Sequence, residues 1–267
     1  KIPQAMLFCG PRGVGKTTCA RVLAKKINSN INKTNSFSYN IFELDAASNN
    51  GVDDIRSLIE QVRVPPQIGN FKVYIIDEVH MLSGAAFNAF LKTLEEPPSY
   101  AIFILATTEK HKVIPTILSR CQIFDFKKIG FVDIKNFLID ISIKEKLKYD
   151  NEALSLIAKK SDGSLRDALS IYDRLVNYTE GNITKELTYE NLNEVSYETY
   201  FKMADIMKNG DIPEALVLLD QVIKNGNNEH NFIHGFSCHL RDLLVAKNIK
   251  SKNLLDLDDD LENYYED

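Results

Sequence analysis

Apolar residues in the first half of the chain fall in short dense runs, separated by stretches with helical spacing. Segments 5–9 (AMLFC), 39–46 (YNIFELDA), 72–77 (KVYIID), 101–107 (AIFILAT) and 122–126 (QIFDF) read as strands. The runs at 72–77 and 101–107 show little alternation, as expected of strands covered on both faces. Segments 17–27, 52–63 and 83–95 have the spacing of helices, and Pro97-Pro98 ends the last of them. Strands alternating with helices predict a parallel sheet with helices on its faces.

The pattern changes after about residue 128. Segments 132–147, 151–160 and 165–177 are helical in period, and no strand is predicted between them. Residues 179–188 (TEGNITKELT) read as a linker, and further helices are expected near 196–208, 212–225 and 229–247. The polar stretch 28–38 reads as a surface loop, and the acidic tail 255–267 as a fraying end or a truncated helix. The predicted fold class is therefore α/β, followed by an all-α region.

Composition narrows the class of protein. Of 267 residues, 44% are apolar and 26% charged, as in ordinary globular proteins. No apolar run is long enough to span a bilayer, and no secretory leader is visible, so no membrane partner is predicted. Four scattered cysteines without metal-ligand spacing point to a reduced, cytoplasmic protein. A net charge of −5 gives no broad basic surface, which leaves nucleic acid to local phosphate contacts.

The chemistry centres on Gly10-Pro11-Arg12-Gly13-Val14-Gly15-Lys16-Thr17, with Thr18 next in line. These residues fit G-x-x-x-x-G-K-[ST], the loop that cradles phosphates with backbone N–H groups. Lys16 would reach the β- and γ-phosphates of ATP, Thr17 would ligate Mg²⁺, and the following helix adds its positive N-terminal end. A Gly-rich surface turn is the plainer alternative, but the flanking strand and helix are those a phosphate loop needs.

Asp77 and Glu78 close the run VYIIDE. Asp77 would hold Mg²⁺ through water, and Glu78 would orient and polarise an attacking water. The alternative is an acidic pair facing solvent. Thr107 and Thr108, after the next strand, suit either a contact to the γ-phosphate or its water, or simple turn chemistry. Arg120 (in LSRC) and Arg166 (in GSLRDALS) suit a surface ion pair or a guanidinium aimed at a γ-phosphate from a neighbouring subunit.

Together the segments GPRGVGKTTCARVLAKKIN, ELDAASNNGVDDIR, FKVYIIDEVHMLSGAAFNAFLKTLEEPP, FILATTEKHKVIPTILSRCQIFDF and GSLRDALSIYDRL resemble the gamma/tau subunits of the bacterial DNA polymerase III clamp loader. The resemblance runs almost the full length and weakens after about residue 177. It implies a P-loop AAA+ core over 1–128, a helical lid over 129–180 and the start of an α-helical collar over 188–267. By the same resemblance Lys16 and Thr17 bind nucleotide, and Asp77 and Glu78 are the Walker B pair. Thr108 matches sensor 1 better than its neighbour Thr107, Arg120 the arginine finger that acts in trans, and Arg166 sensor 2. The implied function is ATP-driven loading of a sliding clamp onto primed DNA, within a pentameric assembly of loader subunits.

Three departures qualify this expectation. The family's four-cysteine zinc module is replaced by NSNINKTNSFSYN, which has no cysteine, so zinc is not predicted. An N-terminal segment that helps hold adenine would lie ahead of Lys1, and the collar and any polymerase- or helicase-binding tail would continue past Asp267. Three rival functions remain at this stage: another AAA+ DNA-processing ATPase, a nucleotide-binding scaffold subunit, and a small-molecule P-loop kinase.

Overall fold

The protein is described by a computed structural model that covers residues 2–28, 40–224 and 226–246. The predicted loop from 29 onward and the acidic tail lie outside the described residues. The chain divides into two compact units. The first comprises Lys1–Ile129 with Ser164–Arg166, and the second Gly130–Gly163 with Asp167–Asp267.

In the first unit, β1 (Ala5–Cys9), β2 (Ile41–Asp45), β3 (Lys72–Asp77), β4 (Ala101–Thr107) and β5 (Gln122–Asp125) form one sheet in the order β2-β3-β4-β1-β5. Every pairing is parallel. The central strands β1 and β4 are buried along their whole length, while the edge strands β2 and β5 are largely exposed or half-buried. Alternate residues serve opposite faces. Leu7, Tyr74, Ile76, Phe103 and Leu105 pack with Ile55, Leu58, Phe87 and Phe90 of α2 (Val52–Arg63) and α3 (Gly84–Glu95). Met6, Phe8, Val73, Ile75 and Ile104 pack instead with Ala20 and Ala24 of α1 (Lys16–Ile27). This is why the central runs read as continuously apolar: each face has its own helical layer.

Local chemistry fixes the element ends. Ser83 caps α3, its Oγ accepting from Ala86 N at 3.2 Å. Asp54, in the first turn of α2, reaches back to accept from Gly51 N at 3.1 Å. Between β4 and β5 the chain forms α4 (Pro115–Leu118), too short to leave a periodic signal and opened by a proline at its first position.

The second unit is mainly helical: α5 (Phe131–Glu145), α6 (Asn151–Lys160), α7 (Leu165–Tyr178, whose first two residues belong to the first unit), α8 (Lys185–Leu192), α9 (Tyr197–Asn209), α10 (Ile212–Lys224) and α11 (Glu229–Ala246). Tyr200, Met203, Leu218, Val222 and Phe232 form the core shared by α9, α10 and α11. Two expectations are corrected here. A parallel pair of two-residue strands, β6 (Lys148–Tyr149) with β7 (Asn182–Ile183), lies in the region predicted to have none. It is too short for periodicity to register. The predicted linker 179–188 holds β7 and the start of α8, whose N-cap Thr184 accepts from Leu187 N at 3.4 Å. The helix escapes an apolar pattern because a threonine fills a core position. Thr188 is fully buried, and its hydroxyl donates to Thr184 O at 2.7 Å.

Candidate active site

In a parallel sheet, loops at the carboxyl ends of the strands meet along one edge. The ends of β1, β3 and β4 do so here. The loop after β1 runs through three glycines at positive φ: Gly10 at 147°, Gly13 at 77° and Gly15 at 93°. A side chain at Gly10 would also place its Cβ 2.3 Å from the Phe126 carbonyl oxygen, so both space and conformation demand glycine there. Gly15 caps α1 in open space and is needed for its left-handed backbone alone. Val14 anchors the loop in the core, whereas Pro11, Arg12 and Thr18 are exposed.

Lys16 is buried, and its Nζ donates to the carbonyls of Gly10 at 2.8 Å and Pro11 at 2.7 Å. Burial pushes its ammonium below the ordinary lysine range, while the Glu78 and Asp77 carboxylates pull the other way. Thr17 Oγ1 donates to Asp77 Oδ2 at 2.6 Å. Glu78 N in turn donates to Asp77 Oδ1 at 2.9 Å, which fixes the carboxylate from both sides.

Glu78 stands in the left-handed region, φ 47° and ψ 46°, a conformation that costs a non-glycine residue on the order of 1–3 kcal/mol. The turn aims its side chain at Thr108. Glu78 Oε2 accepts from Thr108 N at 3.2 Å and from Thr108 Oγ1 at 3.1 Å. Thr107 is fully buried and serves its own loop, its Oγ1 accepting from Glu109 N at 3.0 Å. Arg166 is exposed, and its backbone N–H donates to Gly13 O at 3.2 Å. Arg120 stands apart from this cluster: it donates to Glu95 Oε1 at 2.6 Å and to Thr116 O at 2.7 Å.

The structure thus gathers Lys16, Thr17, Asp77, Glu78 and Thr108, sixty or more residues apart in parts, around one loop. A hydroxyl beside a carboxylate is a set of hard oxygen donors and fits Mg²⁺. Sequence reasoning missed His80, whose ring touches Glu78, and Glu95, which holds Arg120. His80 was visible only as a polar residue in the turn after a strand, and its contact with Glu78 arises from the left-handed turn there.

Comparison with known proteins decides the family. The gamma subunit of DNA polymerase III from Buchnera aphidicola subsp. Baizongia pistaciae is 36% identical over 270 residues, covering 96% of this chain and 73% of that protein. The chain belongs to the DNA polymerase III gamma/tau clamp-loader family. The tau subunit of Bacillus subtilis is 41% identical over 92% of this chain, and the gamma/tau subunit of Mycoplasma genitalium 41% identical over 96%. The chain spans about half the length of these two relatives, 46% and 45%. Residues 1–130 match the family described as DNA polymerase III, delta subunit, and residues 133–181 the DNA polymerase III clamp loader subunit, ATPase lid domain.

Among solved structures, the RuvB Holliday junction branch migration motor of Thermotoga maritima superposes with a TM-score of 0.57, covering 78% of this chain and 70% of that one. At 20% identity this likeness shows a shared fold and nothing finer. Among the described residues, no helix of the clamp-loader chain is long and apolar enough to cross a membrane.

Proposed function

We propose that this clamp-loader chain binds and hydrolyses ATP, and that hydrolysis times the loading of a sliding clamp onto primed DNA. The observation that carries the reading is the run of contacts from Thr17 through Asp77 and Glu78 to Thr108, beside a buried Lys16.

The chemistry follows from what each group can do. Lys16 exchanges its loop carbonyls for the β- and γ-phosphate oxygens and offsets their charge. Thr17 and Asp77 would hold Mg²⁺, which supplies positive charge to the phosphates when bound. Glu78 orients a water and accepts its proton as the water oxygen bonds to the γ-phosphorus and the bond to ADP breaks. Thr108 holds the Glu78 carboxylate in place. Arg120 acts on the γ-phosphate of the adjacent subunit, and Arg166 on that of its own chain.

The proposed organisation is a nucleotide-binding core over 1–128, a lid over 129–180 and a collar over 188–267. The partners are the other loader subunits of a pentameric, ring-like assembly within the polymerase holoenzyme, the sliding clamp and primed DNA. DNA contact would be to the backbone, and so salt-dependent and indifferent to sequence. A non-catalytic scaffold is the second reading. The complete Lys16, Asp77 and Glu78 set speaks against it. ATP turnover of the assembled loader, with and without clamp and primed DNA, tests both. Stimulation by the two together supports clamp loading; binding of ATP without turnover under any condition supports the scaffold.

A further inference from the structure

His80 sits in the short turn Val79–Met81, directly after the Glu78 backbone. Its side chain is only 8% exposed, although it lies beside the partly exposed Glu78 carboxylate. A polar ring in such a place costs free energy unless its nitrogens are satisfied. Nδ1 has partners, lying 3.0 Å from Thr107 Oγ1 and 3.3 Å from Glu78 Oε2, whereas Nε2 approaches Glu109 Oε2 at 3.5 Å without a hydrogen bond.

The neighbours assign the proton. A carboxylate oxygen only accepts, so the nitrogen facing Glu78 presents N–H and not a lone pair. Thr107 Oγ1 already accepts from Glu109 N, and the one Nδ1–H is shared between that oxygen at 3.0 Å and Glu78 Oε2 at 3.3 Å. Glu109 is itself paired with Lys112, which holds its carboxyl below the usual range. The ring is therefore held through Nδ1, with the Glu109 carboxylate lying beside Nε2. Glu78 Oε2 in turn receives Thr108 on one side and His80 on the other.

We infer that His80 is a positioning residue for hydrolysis: its Nδ1–H and Thr108 together clamp the Glu78 carboxylate that activates water. A carboxylate on a turn as strained as this one has many directions to point, and two donors on one oxygen select one of them. Misplacement of a reacting group by about an ångström can lower a rate on the order of 100-fold. The inference rests on the reading of Glu78 as the water-activating group.

The test uses the full protein assembled with its loader partners, clamp and primed DNA, with nucleotide binding measured by a fluorescent ATP analogue. His80→Phe keeps the ring and removes both nitrogens. It is expected to lower kcat on the order of 10-fold or more while leaving KM and nucleotide affinity within about twofold. His80→Asn, whose amide N–H stands in for Nδ1–H, should recover most of the loss. His80→Gln, whose amide reaches the Nε2 position, should not. Adding His80→Phe to Glu78→Gln should slow turnover no further, because both act through one carboxylate. Wild-type turnover in His80→Phe, or equal recovery by Asn and Gln, overturns the inference. If His80→Phe fails to fold, the Asn and Gln pair decides the matter. Loss in Glu78→Gln without loss in His80→Phe overturns the inference alone, whereas wild-type turnover in Glu78→Gln overturns both it and the role of Glu78.

Discussion

Arg120 Nη2 donates to Glu95 Oε1 of its own chain across 2.6 Å, which joins the end of α3 to the segment between α4 and β5. Both side chains are partly exposed, 33% and 45%, so the pair contributes little to stability, about 0–1 kcal/mol. That sets a sharp contrast. Arg120→Ala is expected to leave the melting transition and ATP binding of its own subunit nearly unchanged. Turnover at the neighbouring nucleotide should fall on the order of 10³-fold. Mixing Arg120→Ala with Lys16→Ala subunits tests the direction of action. Interfaces pairing an intact Lys16 with an intact Arg120 should retain activity, and those lacking either should not. Weakened ATP binding by an isolated Arg120→Ala chain would place the residue in cis.

Lys16→Ala is expected to abolish most ATP binding without unfolding the chain. Among the described residues the ammonium donates to the loop carbonyls of Gly10 and Pro11, so its loss removes a phosphate partner and leaves the two cores untouched. Equilibrium binding of an ATP analogue, with circular dichroism as the control for folding, is the measurement. Wild-type affinity in the folded variant would remove Lys16 from the nucleotide site.

The sheet was legible because each central strand is covered twice, which turns 73–76 and 101–106 into unbroken apolar runs. The loop from Gly10 to Thr17 was legible because backbone curvature restricts it to glycine at fixed places. What escaped had no local signature. Thr188 fills a core position with a hydroxyl, so α8 read as linker. β6 and β7 are two residues each and exist only by pairing with one another. His80 meets Thr107 and Glu95 meets Arg120 from 27 and 25 positions away, and the contact of His80 with nearby Glu78 depends on the left-handed turn at Glu78, which no periodicity marks.

Two glycines of the loop should respond differently to alanine. At Gly10 a Cβ meets the Phe126 backbone oxygen at 2.3 Å, an atom that cannot step aside, and φ is 147°. Steric overlap and backbone strain, each about 1–3 kcal/mol, both apply. At Gly15 nothing lies within 4 Å, and only the left-handed φ of 93° must be sustained, at about 1–2 kcal/mol. Urea denaturation should therefore rank Gly10→Ala as the more destabilised. The reverse order would mean that the Phe126 carbonyl yields to the added Cβ.

Purified protein should carry no stoichiometric zinc. Zinc takes thiolates. Burial pushes the Cys121 thiol up to about 11, and Cys9 is raised by burial as well. Cys19 and Cys238 are exposed, on α1 and α11. Among the described residues, no group of three or more His, Cys, Asp or Glu side chains is placed to hold a metal ion. One zinc per chain by elemental analysis would contradict this.

The last prediction separates Thr17 from Asp77, which share one hydrogen bond of 2.6 Å. Thr17→Ala removes the hydroxyl and leaves the carboxylate held, among the described residues, by Glu78 N at 2.9 Å. Asp77→Asn keeps that geometry but replaces a charged oxygen donor with a neutral one. Mg²⁺ prefers charged oxygen ligands and tolerates water in place of a hydroxyl. Thr17→Ala should therefore raise the Mg²⁺ concentration needed for half-maximal turnover and still reach substantial activity at high Mg²⁺. Asp77→Asn should stay slow at any Mg²⁺ concentration. Binding of ATP without metal should change little in either, because Lys16 and the loop N–H groups still meet the phosphates. A Mg²⁺ titration of turnover in the assembled loader checks the two together. If Thr17→Ala shows the wild-type Mg²⁺ dependence, the hydroxyl only steadies Asp77 and is no metal ligand.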